Sequence, residues 1–305
     1  MKIALGLYFR FDFMVDLIHR HSMTIEPVGS YISKWGEGPI WWEGFLYYVD
    51  IESHKIIRFD TKSGYEMIFD VGQRVGTVVP REEGGLVWAG DNGLYFLNEF
   101  TGESTPITDP EPDKENNRFN DGKCSPDGRL FAGTISLKKV TGDASLYRLD
   151  PDHTLHTAHT NVTNSNGLAW NASGDTLYYI DTPRREVLAF DYDQTTGNLS
   201  NERVAFATDA IDASPDGMTI DAQGNLWIAF CHGACVVQYK PTGELLQKID
   251  IPCLETTACA FGGHYFNELY ITTGVHKTEE EEHAGRLFVV KDLGIEGVRS
   301  NAFKG

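Results

Sequence analysis

Basic residues are scarce in this chain. Its 26 lysines and arginines stand against 44 aspartates and glutamates, a formal net charge of −18 at neutral pH. That balance excludes a phosphate-backbone partner, because affinity for nucleic acid comes largely from Lys and Arg neutralising phosphates. It also repels an anionic membrane surface. A negative field of this kind draws divalent cations and serves solubility equally well, so the expected substrate is neutral or small.

Cysteine is sparse and shows no pairing pattern. Cys124, Cys231, Cys235, Cys253 and Cys259 include no Cys-x-x-Cys, their number is odd, and several stand inside apolar runs. They read as buried reduced thiols of a cytosolic protein, with a functional loop between Cys231 and Cys235 as the alternative. Long apolar runs are missing too. The leader-like start, Met1 to Phe9, is broken by Arg10, Asp12 and Asp16, and no small-residue cleavage site follows. It fits neither a signal peptide nor a membrane span, and the expected location is cytoplasmic. There is no Gly-x-Ser-x-Gly elbow, no His-Glu-x-x-His, no phosphate-binding Gly-x-x-x-x-Gly-Lys and no EF-hand loop.

What the chain does have is glycine, 31 residues, many in Asp-Gly, Asn-Gly or Ser-Gly pairs that supply tight hairpin turns. One unit recurs: a Gly-led apolar strand, a turn, a second strand, and a third ending in an aromatic-Asp or Leu-Asp pair. The first copy runs from Gly38 through Trp42, turns at Glu43-Gly44, continues from Phe45 to Asp50, and ends with Lys55 to Asp60. Later copies carry Leu86 to Gly90, Arg129 to Gly133, Leu177 to Asp181, Leu226 to Ala229 and Leu269 to Thr272 as second strands. The spacing, roughly 40 to 50 residues, is that of a propeller blade. No long amphipathic helical stretch interrupts it.

The predicted fold is therefore all-β: a single six-bladed β-propeller over residues 29–305 with an axial metal site. Residues 1–28 form an N-terminal extension, either disordered or an added edge element, with Met23 an alternative start. His153, His156 and His159 fall on alternating faces of a strand and read as exposed blade residues rather than a metal cluster. Glu279 to Glu282 read as a solvated loop in the last blade. The six tryptophans sit mostly in strands, where core packing is the default.

Departures from the repeat are the informative positions. The first strand of each blade lines the channel, and just before its opening Gly stand Glu37, Asp121, Asn166 and Asp216, with Asn120 one residue before Asp121. The other two copies offer Gly76-Thr77 and Thr256-Thr257. Any one Asn-Gly or Asp-Gly is an ordinary turn pair. Four in register place oxygen donors on one ring, and facing acids repel unless a cation or proton lies between them. Carboxylate and amide oxygens suit Ca²⁺, Mg²⁺ or Mn²⁺, and Zn²⁺ less well. Asp121 itself reads more simply as a turn residue.

These residues sit in motifs that resemble the SMP-30 (regucalcin), gluconolactonase and luciferin-regenerating-enzyme family of propellers. The matching stretches are Gly36-Glu37-Gly38-Pro39 with Trp41, Asn117 to Lys123, Phe131 to Thr134, Ser165 to Trp170, Tyr178 to Asp181, Pro215 to Met218 and Thr256 to Gly263, all in order. The resemblance implies one divalent ion (Ca, Zn, Mg or Mn) on Glu37, Asn166 and Asp216. It implies substrate contacts from Arg118 and Asn120 and an acid/base role for Asp216. Where some members place a substrate-contacting Glu, this chain has Lys138, expected at the pocket rim.

The function so implied is hydrolysis of a sugar (aldono-) lactone to its aldonic acid by a monomer or weak homo-oligomer. Asp216 is an awkward base, since a metal-bound carboxylate has a depressed pKa; the alternative is a metal-bound hydroxide. Two other functions remain open: a related hydrolase of organophosphates or non-sugar lactones, and a non-catalytic calcium-binding propeller.

Overall fold

A computed structural model describes residues 22–275 and 281–305. Most of the predicted extension, and Glu279 and Glu280 of the acidic run, lie outside them. The described residues form six four-stranded antiparallel sheets, five of them in simple meander order, and a single short 3₁₀ turn at Thr182–Arg184. The inner strands are Gly36–Trp42, Val75–Pro80, Asn117–Cys124, Ser165–Trp170, Ser214–Ile220 and Thr256–Gly262. Each touches the next and the last touches the first, so the sheets close into a six-bladed propeller.

Each blade has four strands where the sequence repeat shows three. The outer strands, such as Glu66–Asp70, Ser104–Thr108 and Leu245–Asp250, are largely exposed. Each buries at most an isolated apolar residue or two, such as Phe69 and Ile249, so they carry little apolar alternation for a repeat search to find. The sixth blade takes its outer strand from the other end of the chain. Thr24–Val28, within the predicted extension, pairs antiparallel with Leu287–Lys291 and closes the ring.

The core lies between blades. Trp88 and Trp227 are essentially fully buried, and Trp41 and Trp170 nearly so. The Trp227 indole N–H donates to Asp221 at 3.0 Å. All five cysteines are buried free thiols. Beneath the ring, the chain's last residues cross from blade 5 towards blades 2 and 3. Gly297 bridges Asp221, Phe303 donates its N–H to Pro80 O, and Lys304 donates to Gly128 O. The axial channel narrows below the ring of acids: the void between Gly38, Asp121, Gly217 and Ala258 is about 10 Å³, room for one water at most. Beyond this constriction a recess of about 290 Å³, lined by residues such as Lys123, Thr219 and Arg299, opens towards the other end of the axis.

None of the described helices is long and apolar enough to cross a membrane.

Candidate active site

Every inner strand carries a one-residue bulge near its start. The register slips between Glu37 and Ile40, Val75 and Thr77, Phe119 and Gly122, Asn166 and Leu168, Pro215 and Met218, and Thr256 and Ala258. A bulge leaves one residue unpaired and re-aims its side chain. Six in register turn the sequence-predicted residues inward as a set. The glycines that follow are needed for close approach. A Cβ on Gly76 would lie 2.3 Å from Phe119 O, and one on Gly217 would lie 2.3 Å from Ala258 Cβ.

The entry loops are tied down from the neighbouring strand. Asp50, at the end of blade 1's second strand, accepts the backbone N–H groups of Lys34 and Trp35 at 2.9 and 3.0 Å. Asp181, in the same place in blade 4, accepts from Thr163 and Asn164. These are the Val49-Asp50 and Ile180-Asp181 ends of the second strands in the first and fourth copies. Each carboxylate fixes the backbone two residues before a site residue, Glu37 in one case and Asn166 in the other.

Glu37, Asp121, Asn166 and Asp216 are all buried. The Glu37 carboxyl is pushed well up by burial, then by the charges of Asp216 and Asp121, with Gly38 N–H and Arg118 opposing. Asp216 is likewise pushed well up by burial and then by Asp121, offset by the Asn166 amide and the Cys231 thiol beside it, with Glu255 adding to the rise. Asp121 is not a turn residue, as the sequence suggested. It lies inside the inner strand of blade 3, buried, and receives Gly122 N–H at 2.7 Å. Burial raises its pKa and Lys123 lowers it. Lys123 runs along the channel and donates to Met218 O at 2.7 Å.

Asn166 shows the clearest orientation. Thr182 Oγ1 donates to Pro215 O at 2.9 Å, so it can only accept from Asn166 Nδ2, also at 2.9 Å. Asn166 Oδ1 is left buried with no hydrogen-bond partner. Stranding a buried acceptor costs roughly 1–3 kcal/mol, and a ligand is the usual remedy. Arg118 has a matching feature. Its Nη1 donates to Phe119 O and Asn120 Oδ1, each at 2.8 Å, while its Nε is buried without a partner. Burial and then the nearby Arg74 lower its pKa to about 10, so it stays cationic at neutral pH. Asn120 is pinned in turn, donating to Asn164 Oδ1 and Ser165 O.

The structure thus brings Glu37, Asn166, Asp216, Asp121, Arg118 and Asn120 to one end of the axis. Lys138 is exposed in the turn after Ser136, beyond the strand that pairs with Arg118. Two recesses of about 540 Å³ lie elsewhere on the flanks, lined by residues such as Trp42 and His264, or Arg58 and Glu99. They are larger, but the buried, charge-perturbed groups with orphaned atoms are at the axis, and these mark the chemistry.

The donor set fits a divalent cation. Two buried carboxylates with raised proton affinity and an unpartnered amide oxygen are hard oxygen donors that a cation would satisfy together.

A family model described as the SMP-30/Gluconolactonase/LRE-like region matches residues 35–275. The chain belongs to that family. Regucalcin of Xenopus laevis is 37% identical over 297 residues, covering 93% of this chain and 99% of the relative. A Bacillus subtilis protein provisionally named a sugar lactone lactonase is 38% identical over 261 residues, covering 83% of this chain and 89% of its own. Among solved structures, a luciferin-regenerating enzyme superposes with a TM-score of 0.86 at 28% identity, covering 93% of this chain and 100% of that one.

Sequence reasoning passed over Thr182, His232 and Glu255, in or beside this ring, and read Cys231 as core or as one end of a functional loop. Thr182 follows the conspicuous Asp181 and is not itself a repeat position. Cys231 reads as core, yet it lies against Asp216; His232 and Glu255 join it at the rim. Their signal was present. Cys231 takes, in the fifth copy, the place that Asp50 and Asp181 hold in the first and fourth.

Proposed function

We propose that this propeller is a metal-dependent lactonase that opens a sugar (aldono-) lactone to its aldonic acid at the axial site. The observation that carries this reading is the buried Glu37 and Asp216 pair beside the unpartnered Asn166 Oδ1. Glu37, Asn166 and Asp216 would hold one divalent ion, which when bound supplies Lewis-acid polarisation of the lactone carbonyl.

The remaining work falls to the chain's own groups. Arg118, with Nη1 committed to Phe119 O and Asn120 Oδ1 and Nε without a partner, and Asn120, held rigid by it, bind and orient the ring hydroxyls. Asp216 takes a proton from the attacking water and returns it to the ring oxygen as the acyl–oxygen bond breaks. A cation depresses the pKa of a carboxylate that holds it, but Asp121 and Glu255 both act to raise that of Asp216. Thr77, Thr256 and Thr257 make the rest of the wall neutral, and the constriction beneath, with room for one water at most, limits entry of bulk water from below. Lys138, at the exposed rim, meets the outer part of the substrate. The chain's net negative charge agrees with a neutral lactone and a released anionic product.

The test is proton release from a panel of five- and six-carbon aldono-lactones at neutral pH, with metal-free protein and with added Mg²⁺, Mn²⁺, Zn²⁺ or Ca²⁺. Hydrolysis restored by a metal and absent in Asp216→Ala supports the reading. Folded protein with no rate above background under any metal overturns it, and points instead to phosphoester substrates or to cation binding alone.

A further inference from the structure

We propose that Cys231, His232 and Glu255 form a second cation site, beside the oxygen-lined ring and separate from it, for a borderline-soft divalent ion such as Zn²⁺ or Co²⁺. Their ligand atoms, one sulfur, one imidazole nitrogen and one carboxylate oxygen, lie within 4.8 Å of one another. Glu255 Oε2 is 2.6 Å from His232 Nδ1 and 3.4 Å from Cys231 Sγ. An ion taking the place of the shared proton would open the nitrogen–oxygen separation to about 3.3 Å, the edge of a tetrahedron with bonds near 2 Å.

The place that Cys231 takes in blade 5 is held by Asp in two other blades and by Gly90, Ser136 and Thr273 in the remaining three. Asp50 faces Gly36 and Asp181 faces Ser165 at the end of their blades' second strands. Both hold the entry loop through backbone N–H groups. Cys231 occupies the same place opposite Ser214, but its thiol donates to Glu255 of the next blade. Blade 5 thus carries a soft ligand where blades 1 and 4 carry a loop-capping carboxylate, with His next in the chain.

Glu255 has the opposite peculiarity. Its side chain is 2% exposed, and its side-chain hydrogen-bond and ion-pair partners among the described residues are Cys231 and His232. A buried carboxylate facing a thiol and an imidazole, with no Lys or Arg partner, is poorly compensated until a cation arrives. The turn that presents His232 is bent to do so. His232 and Ala234 both have left-handed backbones, φ 64° and 49°, on either side of Gly233. For L-residues this costs roughly 1–2 kcal/mol each. Ala234 N–H is held by Leu254 O, so the same contact that stabilises the turn joins it to the segment bearing Glu255.

The chemistry follows from the ligands. Thiolate and imidazole select Zn²⁺ or Co²⁺ over Ca²⁺ or Mg²⁺. Three protein ligands leave one position for water. His232 is 54% exposed and gives the ion a path from the rim. As the metal–sulfur bond forms, the Cys231 thiol proton leaves to solvent.

Cobalt distinguishes the two sites, because only a cysteine-ligated ion gives a thiolate-to-cobalt charge-transfer band in the near ultraviolet. Metal-free full-length protein is titrated with Co²⁺, with bound metal counted by equilibrium dialysis. The expected result is two ions bound, with a charge-transfer band that Cys231→Ser abolishes as stoichiometry falls to one. Glu37→Gln keeps the band. His232→Gln, at an exposed position that tolerates the change, weakens the band-forming site by at least about tenfold, and serves alone should Cys231→Ser fail to fold. A band absent at saturation, or surviving in Cys231→Ser, overturns the proposal. So does a single bound ion whose band is lost in both Cys231→Ser and Glu37→Gln, which would mean one shared site.

Discussion

The Thr182 hydroxyl decides which way the Asn166 amide faces. Because Thr182 Oγ1 donates to Pro215 O, it accepts Asn166 Nδ2, and the amide oxygen is left free in the site. Partners of this kind, one step removed from a ligand, typically control affinity by ten- to a hundredfold.

Replacing Thr182 with Val keeps the shape and removes the acceptor. The amide then keeps its hydrogen bond to Asp216 but loses the acceptor that holds its nitrogen away from the free side. Calorimetric titration of Thr182→Val with Mn²⁺ should show affinity reduced by roughly ten- to a hundredfold, in a metal-free protein that stays folded with about 1–3 kcal/mol lost to the stranded Pro215 O and Asn166 N–H. Unchanged affinity would mean that Asn166 is not a ligand or is oriented by something else.

Asp181 supports the same residue from the other side, through the backbone. Asp181→Ala strands the N–H groups of Thr163 and Asn164. At roughly 1–3 kcal/mol for each stranded buried donor, a urea melt should register a clear loss of stability. Asp50→Ala should do the same in blade 1, where Lys34, Trp35 and the Tyr31 hydroxyl all converge on one carboxylate. A loss confined to metal affinity, with the urea midpoint unmoved, would argue against a structural role.

These two aspartates also show how much of the molecule was legible beforehand. The inner strands and their partners announce themselves because both faces are buried, giving Leu-Tyr-Tyr-Val-Asp and its analogues a recurring apolar signature. The ring of Glu37, Asn166 and Asp216 was legible as positions where one repeat differs from the next. The outer strands were not, since exposed strands such as Asn198–Ala207 carry no pattern that differs from a loop. Nor was the role of Asp121: Asn-Asp-Gly is a turn signature in sequence, and only the bulge between Phe119 and Gly122 keeps it inside a strand. Cys231 was hidden by its own chemistry. A buried thiol is so often a small core residue that its contact with Glu255, 24 residues further on, leaves no local trace.

The buried carboxylates make a prediction about pH. In the unfolded chain Glu37 and Asp216 ionise near the ordinary value of about 4. In the folded metal-free protein both are raised, by burial and by neighbouring carboxylates. Above about pH 4 the native state therefore holds protons that the unfolded state has lost, so stability falls as pH rises through that window. Each tenfold gain in proton affinity on folding corresponds to about 1.4 kcal/mol. Metal-free Glu37→Gln should melt at least about 2 °C above the parent protein at pH 7, with the gap closing towards pH 4. Saturating cation should reverse the order at pH 7, since the variant has lost a ligand. Thermal melts at a series of pH values, with and without Mn²⁺, check both signs. A metal-free protein whose melting temperature is flat across the window would show that the two groups do not carry the strain assigned to them.

Arg118 separates binding of the cation from binding of the substrate. Its guanidinium lowers the pKa of Glu37, so it is a positive charge within reach of the position a cation would take. It also offers a free Nε–H in a buried setting. Arg118→Gln should therefore act in opposite directions on the two ligands. Cation affinity should rise a few-fold, because a like charge is gone. KM for the lactone should rise roughly ten- to a hundredfold, the worth of a hydrogen bond from a charged donor, while kcat falls less. Arg118→Lys keeps the charge and loses the fork, so it should restore the parent's cation affinity without restoring KM. A general loosening of the site would weaken both ligands in both variants. Opposite signs in the glutamine variant, with the lysine variant rescuing only one of them, can come only from a residue that repels the metal and holds the sugar.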